Sequence, residues 1–179
     1  FGTILLPAML LLASGGRAVF GFAKPVPVNF ARLGRPRRDM VLVAAAGPLS
    51  NLFQSVLAAV GLYGLFWAGG DIEGWLGQNL RNAAWINSLL CVFNMLPLPP
   101  LDGGRVAVGL LPGPLAIRLA SLERVGFLII LGAFFVIPWL GEKLGVTVNI
   151  FWWLVGAPAA YLMDMIYDAL GYLLRGVVG

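Results

Sequence analysis

Charged residues cut this chain into long uncharged windows: Phe1 to Gly16, Met40 to Trp67, Asn82 to Leu101, Val125 to Gly141 and Leu144 to Met163. A helix needs about 20 apolar residues to cross the hydrocarbon of a bilayer, so the last four windows are long enough to span it, or nearly so. Phe1 to Gly16 is the shortest and reads as the latter part of a span. Its competing reading, a cleaved signal peptide ending in small residues, lacks a basic start and contains Pro7. The pattern predicts an all-α polytopic membrane protein of about five transmembrane spans, without an internal repeat.

The cations give these spans a direction. Lys24, Arg32, Arg35, Arg37 and Arg38 lie between the first two windows, whereas Ala68 to Leu80 holds Asp71 and Glu73 and no Lys or Arg. Because Lys and Arg accumulate on the cytosolic side of membrane proteins, the first loop is expected in the cytosol and the second outside. Arg105, Arg118 and Arg124 follow the third window, Lys143 beside Glu142 follows the fourth and Arg175 the fifth, which extends the alternation to a cytosolic C-terminus. Arg17 and Arg81 blur the count.

Composition sharpens this picture. Apolar residues are 60% of the chain and charged residues 11%, against about 45–50% and about 25% in soluble domains. The 24 glycines and 12 prolines suit transmembrane helices better than a soluble helical bundle. A disordered chain, a coiled coil and a disulfide scaffold are excluded, and Cys91, being single, forms no internal bridge. The net charge of +4 is local rather than spread, so nucleic acid is no expected partner. There is no histidine, so this chain alone cannot build an imidazole metal site or proton relay.

The third window carries the chemistry. It runs from Asn82 through Asn94-Met-Leu-Pro97-Leu-Pro99-Pro100-Leu-Asp102-Gly-Gly-Arg105. Each proline lacks an N–H, so the carbonyls of Phe93, Met95 and Leu96 lose their helical partners and the helix must end. A helix starting near Asn82 would place Pro97 roughly 22 Å into a core of about 30 Å. Unwound backbone at that depth survives only where protein or water covers it. Asp102 follows directly, and a carboxylate there suggests a metal ligand, proton carrier or ion site. Equally, Asp102 is a good N-cap for a helix starting at Gly103. Ser50, Asn51, Gln54, Asn87, Ser88 and Asn94 read mainly as hydrogen-bonding glue between helices.

Asn94 to Arg105 resembles the N-x-x-P-x-P-x-x-D-G signature of the site-2 protease family, the intramembrane zinc metalloproteases. Gly21-Phe-Ala-Lys-Pro-Val-Pro-Val-Asn29, with the basic Arg35 to Met40 behind it, and Ala46-Gly47-Pro-Leu-Ser-Asn51, similar to the family's G-x-x-x-N helix, agree in order. The resemblance covers Phe1 to Leu111, taken as the membrane core, with 112–179 as additional C-terminal spans. It implies a zinc cofactor with Asp102 as its third protein ligand, Asn94 near the scissile peptide, and Gly47 and Asn51 packing the helix that faces the site. The family's H-E-x-x-H helix, with two zinc-binding histidines and the Glu that activates water, is missing from these residues. Truncation upstream of Phe1 is the expected reason, degeneracy the other.

Gly21 to Asn29 has prolines at positions 25 and 27, which blunt one edge of a strand and leave Val26 and Val28 to pair on the other. This small β element would bind an extended, unwound substrate by strand addition; a rigid polyproline-like connector is the alternative. Arg35 to Arg38 reads as an anchor for anionic lipid. Pro138 and Pro158 are expected to end and kink the last two spans, and Asp164 and Asp168 to be solvated carboxylates.

These readings add up to a zinc protease cutting membrane-spanning protein substrates, in the plasma membrane of a prokaryote, with lipids as its other partners. A non-catalytic scaffold or an ion-coupled transporter are the alternatives. An impermeant thiol reagent added outside should label a cysteine placed at Gly70 and spare one at Gly34; the reverse pattern would overturn the orientation.

Overall fold

The computed structural model describes residues 35–178, so the first window and the Gly21 to Asn29 segment, with Val26 and Val28, lie outside the described residues. The described residues are helical throughout, without a strand. Six rods follow one another. They are α1 Pro36–Trp67, α2 Trp75–Asn94, α3 Asp102–Leu110, α4 Gly113–Ser121, α5 Glu123–Lys143 and α6, whose regular part is Ala157–Val178.

α1 and α2 form the central pair, and their contact is made of small residues. Ala44, Pro48, Ser55, Ala58 and Ala59 are buried on α1, and Gly77, Ala84 and Ser88 on α2, at the three- and four-residue spacing of one helix face. The large side chains point away: Leu49, Phe53 and Phe66 are 59%, 62% and 59% exposed, while Ser55, Ala84 and Ser88 are each 0%. A soluble core has the opposite arrangement. In lipid, leucine gains little by leaving the solvent, so helices associate through close backbone approach and hydrogen bonds. Ser55 supplies both, since its hydroxyl donates to the Ala84 carbonyl at 2.9 Å and lies 2.8 Å from the Ser88 hydroxyl.

Two rods are long and apolar enough to cross a membrane, Arg37–Trp67 and Glu123–Lys143, and only 17% of each apolar window is buried. α2 has the length, but Gln78, Asn79, Arg81 and Asn82 make its first turns polar. It begins at Trp75, seven residues before the expected Asn82, because Arg81 turns back to the preceding loop. There it donates to the Ile72 carbonyl at 2.7 Å and pairs with Glu73 at 3.0 Å.

Pro138 does not act as expected, and Pro158 follows a wider turn of the same kind. Pro138 does not end α5, which runs on to Lys143, because the wider turn Gly132–Val136 precedes it, with the Ile137 N–H reaching back to the Gly132 carbonyl. Trp152–Gly156 does the same before Pro158, with Ala157 bonded to Trp152. A π turn shifts the ring away from the carbonyl four residues back, so the helix absorbs a residue with no N–H. The chain leaves α5 through Gly145, whose φ of +73° closes the Val146-to-Gly141 hydrogen bond. Leu144 to Asn149, expected as the start of a span, is therefore a turn and a short connection. Asn149 then caps α6, accepting from the Trp152 N–H at 2.9 Å.

α6 runs in the direction of α1. Phe151 meets Phe134 edge-on, and Phe134 packs at a tilt against Phe93 near the end of α2, whereas Tyr63, near the end of α1, donates to the Tyr167 carbonyl at 3.0 Å. The end of α6 therefore lies beside Trp67 and Ile72, at the same end of the bundle as Asp71 and Glu73. The external 68–80 loop and the cytosolic C-terminus expected from the cation count do not hold together. The count treated α6 as a return crossing, and it is not one.

Two measurements follow. Ser55→Ala in detergent should cost roughly 0.6–1.7 kcal/mol, the range for hydrogen bonds between membrane helices, and Ser55→Leu more, by wedging α1 from α2. An epitope after Gly179 should be reached from the same side as a cysteine at Gly70.

A carboxylate on a broken helix

α2 ends at Asn94, and the prolines leave the chain few donors with which to continue. The Met95 N–H reaches back to Cys91 and Val92, Leu96 closes on the Phe93 carbonyl at 3.2 Å, and Leu98 on the Leu96 carbonyl at 2.8 Å. Two of the three carbonyls that the prolines would orphan are thus satisfied within the turn. Pro99 is fully buried, and the Pro99–Pro100 bond is cis.

Glycines hold this turn from several sides. A Cβ on Gly103 would collide with the carbonyls of Met95 and Leu96, and one on Gly104 with Leu98 and Pro99. α3 therefore folds directly against the end of α2, bringing the start of α3, with Asp102, to the residues just past Asn94. From α5, Gly126 meets the Pro99 carbonyl closely enough that no side chain fits. Arg105, one turn into α3, pairs with Glu123 at the start of α5 at 3.2 Å. That pair is exposed and adds little stability, but it fastens the same two elements.

Asp102 is the first residue of α3, and the N-cap position belongs to Leu101, with no side-chain capping bond. The cap alternative for Asp102 therefore has no support in the geometry. Its carboxylate is half-buried and faces α1 instead, where a Cβ on Gly47 would stand 2.8 Å from Oδ2. The absence of a side chain at Gly47 makes room for the acid. Asn51 lies one turn further along α1, half-buried, and Asn94 closes α2, also half-buried.

Of the polar residues read as glue, only Ser88 bonds between helices among the described residues. Ser50, Gln54 and Asn87 donate to the carbonyls of Gly47, Ser50 and Ala83 on their own helices. The partner of Ser88, Ser55, was not singled out, because a serine in an uncharged window looks the same whether it faces lipid or a neighbour. Gly126 was missed for the same reason. Asp164 and Asp168 are exposed, as expected.

Among the described residues no three His, Cys, Asp or Glu side chains converge. Catalytic zinc takes three protein ligands and an open position. Asp102 offers one hard anionic donor, and no other ligating side chain joins it, so the described residues alone do not form a zinc site.

Residues 72–138 match the family model described as Peptidase family M50, a stretch that contains both Asn94 and Asp102. The protein YwhC of Bacillus subtilis (strain 168), named provisionally as a zinc metalloprotease, is 38% identical over 142 residues, covering 75% of this chain. The chain spans 59% of that relative's length. No solved structure matches. With an identity of that extent, and a family match centred on the proline turn and its aspartate, the chain belongs to peptidase family M50, the site-2 protease family.

Proposed function

We propose that this chain is part of an intramembrane zinc metalloprotease that hydrolyses peptide bonds of membrane-spanning proteins within or near the bilayer. Asp102 is its contribution to the metal centre. The observation that carries this reading is the placement of Asp102: a carboxylate on a helix broken by prolines, held by glycines, serving no cap and facing the gap left by Gly47. A structural acid would be expected to satisfy its oxygens within its own turn.

Zinc, when bound, would supply a Lewis acid and an activated water. Completing its set takes further donors, and these 179 residues hold no histidine to supply them. What these residues do is hold one ligand rigidly. Gly47 leaves the carboxylate its space, Asn51 lines the same face of α1, and Asn94 stands at the mouth of the turn to hydrogen-bond a substrate backbone. Val26 and Val28 would receive an extended substrate segment by strand addition, which answers a physical need, because a peptide bond wrapped in a helix is shielded from attack. The Arg35 to Arg38 side of the bundle is then cytosolic, and the end of α6 lies opposite.

In the full-length protein, Asp102→Asn should abolish cleavage of a model transmembrane substrate and lower zinc content, while changing thermal stability by no more than about 0.5 kcal/mol. Asparagine keeps the size and removes the charge. Unchanged zinc and activity would assign Asp102 to structure and favour a non-catalytic relative. Gly47→Ala should reduce zinc affinity or activity about 10–100-fold, the range for residues that orient a ligand. In the Asp102→Asn background it should have no further effect on zinc.

A further inference from the structure

α3 and α4 meet in an elbow at the end of the bundle that carries the first turn of α1. A Cβ on Gly109 would strike Val41, and one on Gly113 would stand 3.8 Å from the Arg37 guanidinium. α4 is short and two-faced. Ala116 is buried against the bundle, while Leu115 and Ile117 are 49% and 73% exposed and flank an exposed Arg118. Leu110, just before the elbow, is also exposed.

Beyond α4 lies a shallow depression of about 690 Å³ lined by Ala120, Ser121, Glu123 and Arg124. The Glu123 carboxylate is engaged by Arg105, which reduces its repulsion of an incoming anion. The Ser121 hydroxyl donates to the Arg118 carbonyl at 2.7 Å, tying the rim of the depression to the helix. Among the described residues Arg37, Arg38, Arg118 and Arg124 have no carboxylate within ion-pair distance; Asp39, the other acid on this side, accepts from the Arg35 N–H.

Exposed apolar residues on either side of an arginine, on a short helix at one end of a membrane bundle, describe a helix lying in the interface plane. Its apolar side chains enter the acyl boundary and its cations meet headgroups. Guanidinium groups suit phosphate because their planar donor fork takes two oxygens at once. We propose that α4 is an interfacial helix, and that Arg118 and Arg124 bind the phosphate of an anionic phospholipid seated at the 120–124 depression. This site is separate from Asp102 and does not depend on the protease reading.

The test uses the full-length protein in nanodiscs of phosphatidylcholine with increasing phosphatidylglycerol, following thermal unfolding. A ligand that binds only the folded state raises Tm with its concentration, so Tm should climb with the anionic fraction and less steeply at high salt. Arg118→Gln with Arg124→Gln should remove at least about half of that climb, and the corresponding Lys pair should restore most of it. Tm in pure phosphatidylcholine should stay near that of the unaltered protein. In a Cys91→Ala background, a bimane on Ile117→Cys should be quenched by lipids brominated on their chains. Equal phosphatidylglycerol dependence in the unaltered and Gln proteins would overturn the proposal. So would an unquenched label at Ile117, or inorganic phosphate reproducing the climb in phosphatidylcholine alone.

Discussion

The close approach of α1 and α2 sets the rest of the structure. It is permitted by alanine and glycine and fixed by the Ser55, Ser88 and Ala84 hydrogen bonds. In water such an interface would be weak, since it buries little apolar area. In hydrocarbon the comparison changes. Large apolar side chains are as well solvated by lipid as by protein, and an unpaired hydroxyl has no water to turn to, so small residues with one well-made polar contact define the contact face. With the two axes this close, Gly47 on α1 comes within a side chain's reach of the acid at the start of α3.

The proline turn depends on the same closeness. Its backbone is irregular, and its buried polar groups need partners within the protein. Tight turns satisfy part of it, and glycines from α3 and α5 press against the rest without intervening side chains. A turn held in this way has little freedom to relax, which suits a residue whose task depends on position rather than on reach. Each glycine around it is therefore explained by what it approaches, and at these positions by no special backbone angle.

Much of this was legible in the residues, and the failures have physical causes. The break after Asn94 follows from three missing N–H groups, which no tertiary context can restore. The Asp102 alternatives could not be separated in sequence, because an N-cap and the first residue of a helix differ by one position; the structure gives the cap to Leu101. The start of α2 was misplaced because its polar first turns look like loop, and only the Arg81 bonds to Ile72 and Glu73 show where they go. The direction of α6 was misread because a count of cations assumes that every apolar segment crosses, while Gly145 and Asn149 redirect the chain before it can. Val26 and Val28 lie where the described residues do not reach.

The wide turns ahead of Pro138 and Pro158 do more than accommodate a ring. A turn closed by a bond five residues back holds one residue more than its neighbours, so everything beyond it is rotated by about 100° relative to an uninterrupted helix. The sequence before Gly132 and the sequence after Val136 therefore present different sectors to the same neighbour, and a helical wheel drawn straight through Glu123–Lys143 would assign half of its positions to the wrong side. Each proline thus acts as a phase marker, showing where the register of lipid-facing and protein-facing positions is reset.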